Sequence, residues 1–89
     1  EIYDNLFEYN LDNGVEPENW AFNLHVYHNV LRNVPLGVLP VDEVDGGDIW
    51  FYGNVGWMDD FRHKSWTTYK IGGSSAPLHL YHNSFYYAK

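Results

Sequence analysis

The 89-residue sequence contains no cysteine, only five Lys and Arg residues, and no long apolar run. Without cysteine, the chain has neither a disulfide framework nor a thiolate metal site. Twelve acidic residues against five basic ones give a net charge of −7. This balance argues against nucleic acid as a partner, because phosphate binding requires Lys and Arg. The apolar runs fall short of the roughly 18 residues of a membrane span, so none is expected.

Helical periodicity is also missing, because Gly, Pro and Asn interrupt every long window. Hydrophobic residues are abundant, at 45% of the chain, and aromatic residues make up 19%. Such a composition is typical of a packed protein rather than a disordered one. The length allows at most one small domain. We therefore predict that residues 1–89 belong to a single domain.

A short pattern recurs four times: an apolar residue, Tyr, a variable residue, Asn, and then a small or apolar residue. Successive Asn residues are 24, 25 and 29 positions apart. One repeat per turn of a solenoid explains this spacing, whereas a small β-sandwich, the competing fold, does not. We predict an all-β fold, a right-handed parallel β-helix built as a single-stranded solenoid of about four coils near 1–22, 23–46, 47–76 and 77–89. The recurring residues are Asn5, Asn29, Asn54 and Asn83.

Strand alternation predicts two different faces before each Asn. Val26 and Phe51 fall on the aliphatic face, which we interpret as core, and the Tyr of each repeat falls on the exterior. Each Asn is predicted at a bend, in the left-handed conformation that Asn tolerates. Its amide should stack on the amides of the neighbouring coils. The exterior Tyr residues are Tyr3, Tyr27, Tyr52 and Tyr81.

Neither end of the sequence supplies a cap for such a solenoid. A coil buries its core only against neighbouring coils, and an open strand edge is a template for further pairing. We therefore interpret the chain as an uncapped fragment and expect the remaining coils of a longer parent chain as its partners.

Three segments carry a resemblance. Residues 12–18 read Asp-Asn-Gly-Val-Glu-Pro-Glu, residues 46–55 begin Gly-Gly-Asp and end Asn-Val, and residues 76–85 contain Tyr-His-Asn-Ser. Together they resemble motifs of the pectin-lyase-like superfamily of bacterial right-handed β-helix proteins. The superfamily includes lyases, hydrolases, epimerases, esterases and non-catalytic adhesins. The resemblance implies an exported protein, extracellular or periplasmic, that acts on a polysaccharide.

Three carboxylates surround Gly14 in the first of these segments. Ca²⁺ takes several oxygen ligands, so Asp12, Glu16 and Glu18 are candidate metal ligands and Ca²⁺ is the candidate cofactor. Alternatively, two of them act as acid and base on a glycosidic bond, or the segment is a solvated acidic turn. Asn13 stands where the resembled motif has a second Asp.

Lys70 is the candidate base. Aligning Val15, Val38 and Tyr69 as inward residues puts the residues that follow them, Glu16, Leu39 and Lys70, on one outward stack. Glu16 then lies about 10 Å from Lys70 on the same stack, because adjacent coils are about 4.8 Å apart. In the lyases that this sequence resembles, a Lys or Arg removes the proton α to a uronate carboxylate, and a bound Ca²⁺ neutralises that carboxylate. An ordinary exposed Lys is the alternative.

Exterior aromatic residues are candidate substrate-binding residues, because aromatic faces pack against sugar rings. His63 joins them, since it lies in a small basic cluster that suits an anionic sugar. The alternatives are a self-stacked ladder that stabilises the sheet and a plain loop at His63. The long segment from Trp57 to Ser75 is expected to extend over one face. The aromatic candidates are Tyr27, Trp50, Tyr52 and Tyr81.

The sequence thus predicts a carbohydrate-active β-helix segment, a polysaccharide lyase or epimerase that acts on an acidic polysaccharide. Its catalytic residues would be Lys70, Glu16 and Asp12. A glycoside hydrolase with paired carboxylates is one alternative. A non-catalytic adhesin or tailspike-like β-helix that binds polysaccharide is the other.

Overall fold

The computed structural model describes residues 1–9, 14–15, 23–34, 36–42, 47–59, 67–72 and 77–87. All regular secondary structure in these ranges is β-strand. Nowhere in them does a helix occur that is long and apolar enough to cross a membrane. The strands are β1 (Ile2–Tyr3), β2 (Leu6–Glu8), β3 (Leu24–Tyr27), β4 (Val30–Arg32), β5 (Leu36–Asp42), β6 (Ile49–Tyr52), β7 (Val55–Met58), β8 (Thr67–Gly72), β9 (Leu78–Tyr81) and β10 (Ser84–Tyr87).

The strands pair in parallel in three sheets. The first sheet has the order β1-β3-β6-β9, the second has the order β2-β4-β7-β10, and the third pairs β5 with β8. Neighbours within a sheet come from successive repeats. Val26, for example, pairs with Ile2 on one side and with Phe51 on the other. This all-β parallel arrangement is compatible with a β-solenoid.

The inward side of the first sheet contributes most of the core. Val26, Ile49 and Phe51 are 1%, 0% and 0% exposed, whereas Trp50 and Tyr52 are half-buried. This alternation confirms the two predicted faces of the repeat. Burial of each of the three core side chains stabilises the fold by about 1.5–3 kcal/mol. The buried cluster is completed by Val15, Leu31 and Val34.

The chain bends between the first-sheet strand and the second-sheet strand of each repeat. The residue before each Asn has a positive φ, which is 56° at Asp4, 54° at His28, 63° at Gly53 and 55° at His82. From the sequence we predicted that the Asn itself adopts this left-handed conformation, and that prediction is wrong. Asp, His and Gly all accept positive φ more readily than branched residues do. The turn is therefore made by the variable position of the repeat.

Gly56 lies in the second sheet between Leu31 and Phe85. A Cβ atom at this position would lie 2.6 Å from Cε1 of Phe85 and 2.9 Å from the carbonyl oxygen of Leu31. The Phe85 ring occupies that space and lies 6.4 Å, centroid to centroid, from the ring of Phe51 in the first sheet. The absence of a side chain at Gly56 thus allows the two sheets to share an aromatic contact.

The third sheet corrects one predicted register. β5 has a one-residue irregularity between Leu36 and Leu39, and beyond it Pro40 is the residue that pairs with Lys70. The prediction that Leu39 lies beside Lys70 is therefore wrong. One inserted residue in a strand shifts the pairing of every later residue of that strand by one position.

The predicted extension from Trp57 to Ser75 is in part sheet structure. Trp57 lies in β7, paired with Arg32 and Tyr86, and Thr67–Gly72 forms β8. The predicted coil boundaries fall at residues 22, 46 and 76, which lie outside the described part of the chain. The boundaries therefore stay predictions.

Candidate functional site

The recurring Asn side chains form a hydrogen-bonded row at the bend, which we call the Asn ladder (Asn5, Asn29, Asn54 and Asn83). At each step, Oδ1 of one Asn accepts hydrogen bonds from the backbone N–H and from Nδ2 of the Asn one repeat earlier. The Nδ2–Oδ1 distances are 3.2, 3.0 and 3.0 Å. The backbone N–Oδ1 distances are 3.1, 3.0 and 3.1 Å. The predicted stacking of turn amides is confirmed.

Beyond the first repeat, Nδ2 of the ladder residue also donates to a backbone carbonyl of the preceding repeat. Asn29 donates to the oxygen of Ile2 and Asn54 to the oxygen of Val26, both at 3.1 Å. Asn29 is only 1% exposed and Asn54 is 0% exposed. Buried amides need such partners, because an unsatisfied polar group in the interior is costly. The ladder therefore fixes the register in which the outward side chains of successive repeats align.

On the outward side of the first sheet, the Tyr of each repeat stacks on the next, in a row that we call the Tyr column (Tyr3, Tyr27, Tyr52 and Tyr81). Successive ring centroids lie 5.1, 5.0 and 4.9 Å apart, and the ring planes differ by 9°, 1° and 2°. Both faces of each interior ring are thus covered by other Tyr rings. A sugar ring cannot stack on these covered faces, so the column offers a ligand its ring edges and hydroxyl groups.

The phenol groups of the Tyr column are hydrogen-bond donors at neutral pH. The hydroxyl of Tyr27 donates to Oε2 of Glu1 at 3.1 Å. Partial burial, together with this carboxylate, raises the pKa of Tyr27 to about 12. Burial also raises the pKa of Tyr52, with a smaller contribution from the charges of Tyr81 and Glu1. Both hydroxyls are therefore protonated well beyond neutral pH.

A second row of stacked rings stands beside the first, and we call it the His–Trp column (His25, Trp50 and His79). Its centroid distances are 4.5 and 4.9 Å and its interplanar angles are 12° and 9°. Nε2 of His79 lies 3.0 Å from Oδ2 of Asp48. The sequence predicted Trp50 as a binding residue. It predicted the two histidines only as exterior stacking residues, and the stacking is confirmed. The repeat alignment itself was the signal, because it sets both of them in line with Trp50.

The two columns occupy alternate positions on the same strands, so they stand on the same side of the first sheet. We call them together the aromatic strip. Its groups repeat at close to 5 Å along the direction in which the repeats are stacked. Each step presents phenol, imidazole or indole groups that can donate or accept hydrogen bonds. The strip can therefore bind a ligand that repeats polar groups in the same direction.

The structure brings together only some of the predicted site residues. Lys70 lies on β8 of the third sheet, where its backbone pairs with Pro40. Across the described ranges, no group of three or more His, Asp or Glu side chains is placed to hold a metal ion. The predicted residues within the aromatic strip are Tyr27, Trp50, Tyr52 and Tyr81. The predicted residues outside the described part of the chain, whose roles stay predictions, are Asp12, Glu16, Glu18 and His63.

An ionic cluster at the end of the second-sheet strands was missed. Arg32 lies 3.2 Å from Glu8 and 3.4 Å from Asp59, and its guanidinium carbon is 5.1 Å from the centre of the Tyr9 ring. A hydrogen bond from Asn33 at 2.8 Å, followed by the charge of Arg32, lowers the pKa of the Asp59 carboxyl. Glu8 and Arg32 occupy the same position in their repeats, so the opposite charges were a usable signal.

Comparison of the sequence with models of protein families, with curated proteins and with solved structures gives no match. The chemistry of the aromatic strip, and the repeat that builds it, indicate what the chain can bind.

Proposed function

We propose that this chain is a segment of a right-handed parallel β-helix, a single-stranded solenoid of about four coils, and that it binds a polysaccharide along the aromatic strip. The parallel pairing of successive repeats in three sheets supports the solenoid. The Asn ladder supports it as well, because it holds four repeats in one register. The resemblance to the pectin-lyase-like superfamily points to the same fold.

The observation that carries the binding proposal is the constant interval of the strip. Tyr27, Tyr52 and Tyr81 present the same hydroxyl group at steps of 5.0 and 4.9 Å. A row of identical groups at equal steps suits a linear polymer, because each unit of the ligand meets the same contacts as the one before. A small molecule would use only one or two of the steps.

A carbohydrate fits the chemistry of the strip better than other linear polymers. Its hydroxyl groups can pair with phenol, imidazole and indole groups, and its C–H surfaces can pack against ring edges. A nucleic acid is disfavoured by the net charge of −7, since phosphate contacts need an excess of Lys and Arg. The strip therefore supports a polysaccharide as the partner.

The proposed reaction is β-elimination or C5 epimerisation on an acidic polysaccharide. Lys70, as the neutral amine, would take the C5 proton α to a uronate carboxylate, with Glu16 and Asp12 completing the catalytic group. In β-elimination the C4–O bond then breaks and the leaving oxygen takes a proton from water, whereas in epimerisation a proton returns from water to the opposite face of C5. A negatively charged chain repels such a substrate unless a cation intervenes. Asp12, Glu16 and Glu18 would supply the oxygen ligands of Ca²⁺, and His63 would contact the anionic sugar. The proposed location is extracellular or periplasmic.

Binding can be tested by calorimetric titration of the chain with a polyuronate and with a neutral glucan, each with and without Ca²⁺. Tyr52→Phe removes one hydroxyl and keeps the stacked ring, and we expect it to weaken binding several-fold. The matched control is Val55→Ala, at an exposed position of the second sheet, which should bind as the unchanged chain does. If the chain binds neither polymer, or if the two variants lose affinity equally, the strip is not the binding surface.

The reaction needs a separate readout. A lyase produces an unsaturated sugar that absorbs near the ultraviolet edge, and the proposal requires this absorbance to fall when a chelator removes Ca²⁺. Lys70→Ala should abolish it and leave binding to the strip intact. Reducing ends without the absorbance would indicate a hydrolase. An epimerase would give neither product, but it would exchange the C5 proton of the sugar for deuterium from the solvent. Binding without any of these three signals would indicate a non-catalytic, adhesin-like segment.

A further inference from the structure

We propose that the aromatic strip selects an acidic polysaccharide in which a uronate alternates with a neutral sugar, and that two carboxylate-binding units recognise it. Each unit is a His-x-Tyr-His sequence, at residues 25–28 in the second repeat and at residues 79–82 in the fourth. The third repeat, between them, has Trp50 and Gly53 at the two histidine positions. This inference rests on the proposed binding of polysaccharide, and it names the ligand class and the residues that recognise it.

The first histidine of each unit belongs to the His–Trp column. His25 and His79 stack on Trp50 at centroid distances of 4.5 and 4.9 Å. The strand that carries Trp50 lies between the strands of the two histidines, so the imidazoles are two strand spacings apart with an uncharged indole between them. Stacking also fixes the plane of each imidazole, so its nitrogen atoms are presented at the edge of the column.

The second histidine of each unit stands at the bend, beside the Tyr of the same repeat. The ring of His28 meets that of Tyr27 at 5.1 Å and 78°, and the ring of His82 meets that of Tyr81 at 5.5 Å and 82°. His28 is exposed although it lies in an inner repeat. A Cβ atom at Gly53 would lie 2.7 Å from Cδ2 of His28. The absence of a side chain at Gly53 therefore makes room for this imidazole.

Each unit thus offers a carboxylate one phenol between two imidazoles. The phenol donates its O–H, and an imidazole donates one N–H when neutral and two when protonated. Hydrogen bonds from charged donors to a carboxylate are the stronger ones. In the fourth repeat, Nε2 of His79 lies 3.0 Å from Oδ2 of Asp48. Because an ionised carboxylate can only accept, Nε2 holds a proton there, and Nδ1 is the nitrogen that a ligand can reach.

Carboxylates also face the strip from the neighbouring repeats. In the first repeat, Oε2 of Glu1 lies 3.1 Å from the Tyr27 hydroxyl, and Asp4 stands at the bend. In the third, Asp48 pairs with His79. Imidazole groups as a class gain a positive charge as the pH falls from about 8 to about 5. Protonated units therefore supply the cations that an acidic ligand needs on a chain whose net charge is −7.

The interval between the two units determines which acidic polymer fits. Paired strands are about 4.8 Å apart, and a sugar in an extended chain advances by a similar distance, so two strand spacings correspond to two sugars. A carboxylate on every second sugar would meet both units at once, with the neutral sugar against Trp50 and Tyr52. The second contact is then intramolecular, and the two contacts reinforce each other. The alternation of charged and uncharged repeats thus matches an alternating polymer.

The first test compares two oligosaccharides of alternating glucuronate and N-acetylglucosamine, titrated calorimetrically without Ca²⁺ at about pH 5.5 and about pH 7.5. The disaccharide has one carboxylate, and the tetrasaccharide has two, placed two sugars apart. At the lower pH we expect the tetrasaccharide to bind about tenfold more tightly or better, because it reaches both units. This ratio should shrink at the higher pH, and an unchanged ratio would overturn the role of imidazole charge.

The two-sugar interval has a test of its own. Digalacturonate also has two carboxylates, but they are on adjacent sugars. It should bind only as tightly as the alternating disaccharide, because its second carboxylate falls beside the uncharged third repeat. Binding as tight as that of the tetrasaccharide would overturn the proposed interval.

Variants that lack one unit test the residues. His79→Gln with His82→Gln removes the imidazoles of the fourth repeat and keeps polar side chains, so the tetrasaccharide should bind this variant no more tightly than the disaccharide does. His25→Gln with His28→Gln should give the same result. Val55→Lys is the control for net charge, because Val55 is 48% exposed on the second sheet. It should leave the ratio of the two affinities unchanged, and a larger ratio would overturn the assignment to the units.

The results also separate this inference from the proposed binding of polysaccharide. Equal affinity of the tetrasaccharide for the unchanged chain and for both histidine variants would overturn the units and leave the strip as a binding surface. If neither the tetrasaccharide nor the long polymer of the same repeat binds at either pH, both proposals are overturned. Circular dichroism of each variant establishes that it is folded before its affinity is compared.

Discussion

The Asn ladder and the Tyr column repeat with the same spacing and run side by side, yet one faces the interior and the other faces outward. At its centre the inner ladder is closed to water, with Asn54 at 0% exposure, whereas Tyr52 of the same repeat is half-buried and Tyr81 of the outer column is 43% exposed. An amide inside must find partners in the protein, while a phenol outside can exchange them for water. The same repeat therefore holds a part that determines stability and a part that is available for a ligand.

The largest effect is expected at the centre of the inner ladder. Asn54→Leu removes the acceptor used by both nitrogens of Asn29 and the donor to the oxygens of Val26 and Tyr52. With several buried groups left unpaired, the free energy of unfolding should fall by on the order of 3 kcal/mol or more. Urea denaturation measures this change.

Asn5→Leu is the matched control, because Asn5 belongs to the same ladder but is exposed to water. It should cost about 1 kcal/mol, as a net hydrogen bond typically does. Equal losses at the two positions would contradict the view that burial gives the ladder its stabilising role.

A second way to disturb the inner side is to add a methyl group at Gly56. Gly56→Ala places Cβ against the Phe85 ring and the carbonyl oxygen of Leu31, and overpacking of this kind costs about 1–3 kcal/mol. The midpoint of thermal unfolding should fall in Gly56→Ala. It should change little in Val55→Ala, where the side chain is exposed. In a Phe85→Leu background the cost of Gly56→Ala should shrink, which a double-mutant cycle detects. Strict additivity would contradict the proposed clash.

Substitutions in the Tyr column should destabilise the fold less than substitutions in the buried part of the Asn ladder. Tyr52→Ala removes two stacked contacts, to Tyr27 and Tyr81, each worth about 0.5–1.5 kcal/mol beyond burial. Tyr52→Phe keeps both stacks and should leave the unfolding midpoint nearly unchanged. The pair of variants thereby separates the ring from its hydroxyl. A marked loss of stability in Tyr52→Phe would show that the hydroxyl also has a structural partner.

The smallest effect is expected in alkaline solution. The folded-state pKa of Tyr27 is raised to about 12, above its ordinary value of 10.0, so folding favours the protonated phenol. This contribution to stability is complete below about pH 10 and is lost as the pH rises towards about 12. Unfolding midpoints measured across that window should fall less steeply for Tyr27→Phe. Tyr27→Trp, which also removes the phenol and keeps an aromatic ring, should flatten the pH dependence in the same way.

The recurring Asn was enough to predict the strand register of the first sheet, because hydrogen bonds along the ladder and alternation along each strand both depend on it. It also predicted which side chains face outward, including Tyr27 and Trp50. What it did not reveal is the residue that makes the turn. Asn is a common left-handed residue, but here its amide is needed for the ladder, and the residue before it takes the positive φ.

The third sheet shows the limit of pattern reasoning more clearly. The irregularity between Leu36 and Leu39 was not predicted, so the alignment of Lys70 was wrong by one residue. Gly37 was a usable signal, because an isolated Gly within a strand pattern often marks a bulge. The ionic cluster around Arg32 was missed for another reason. Its partners come from the first and the third repeat, and only Glu8 shares the repeat position of Arg32. The catalytic and metal roles of Asp12, Glu16 and Lys70 remain predictions from the resemblance.

The Asn ladder also has an electrical consequence. Every side-chain carbonyl that accepts within it points back towards the preceding repeat, so the amide dipoles add along the stack instead of cancelling, much as peptide dipoles add in an α-helix. Hydrogen bonds in such a chain polarise one another, by on the order of 10–30% per bond. The ladder therefore carries a dipole whose negative end points from Asn83 towards Asn5, and each amide polarises its neighbours in the stack.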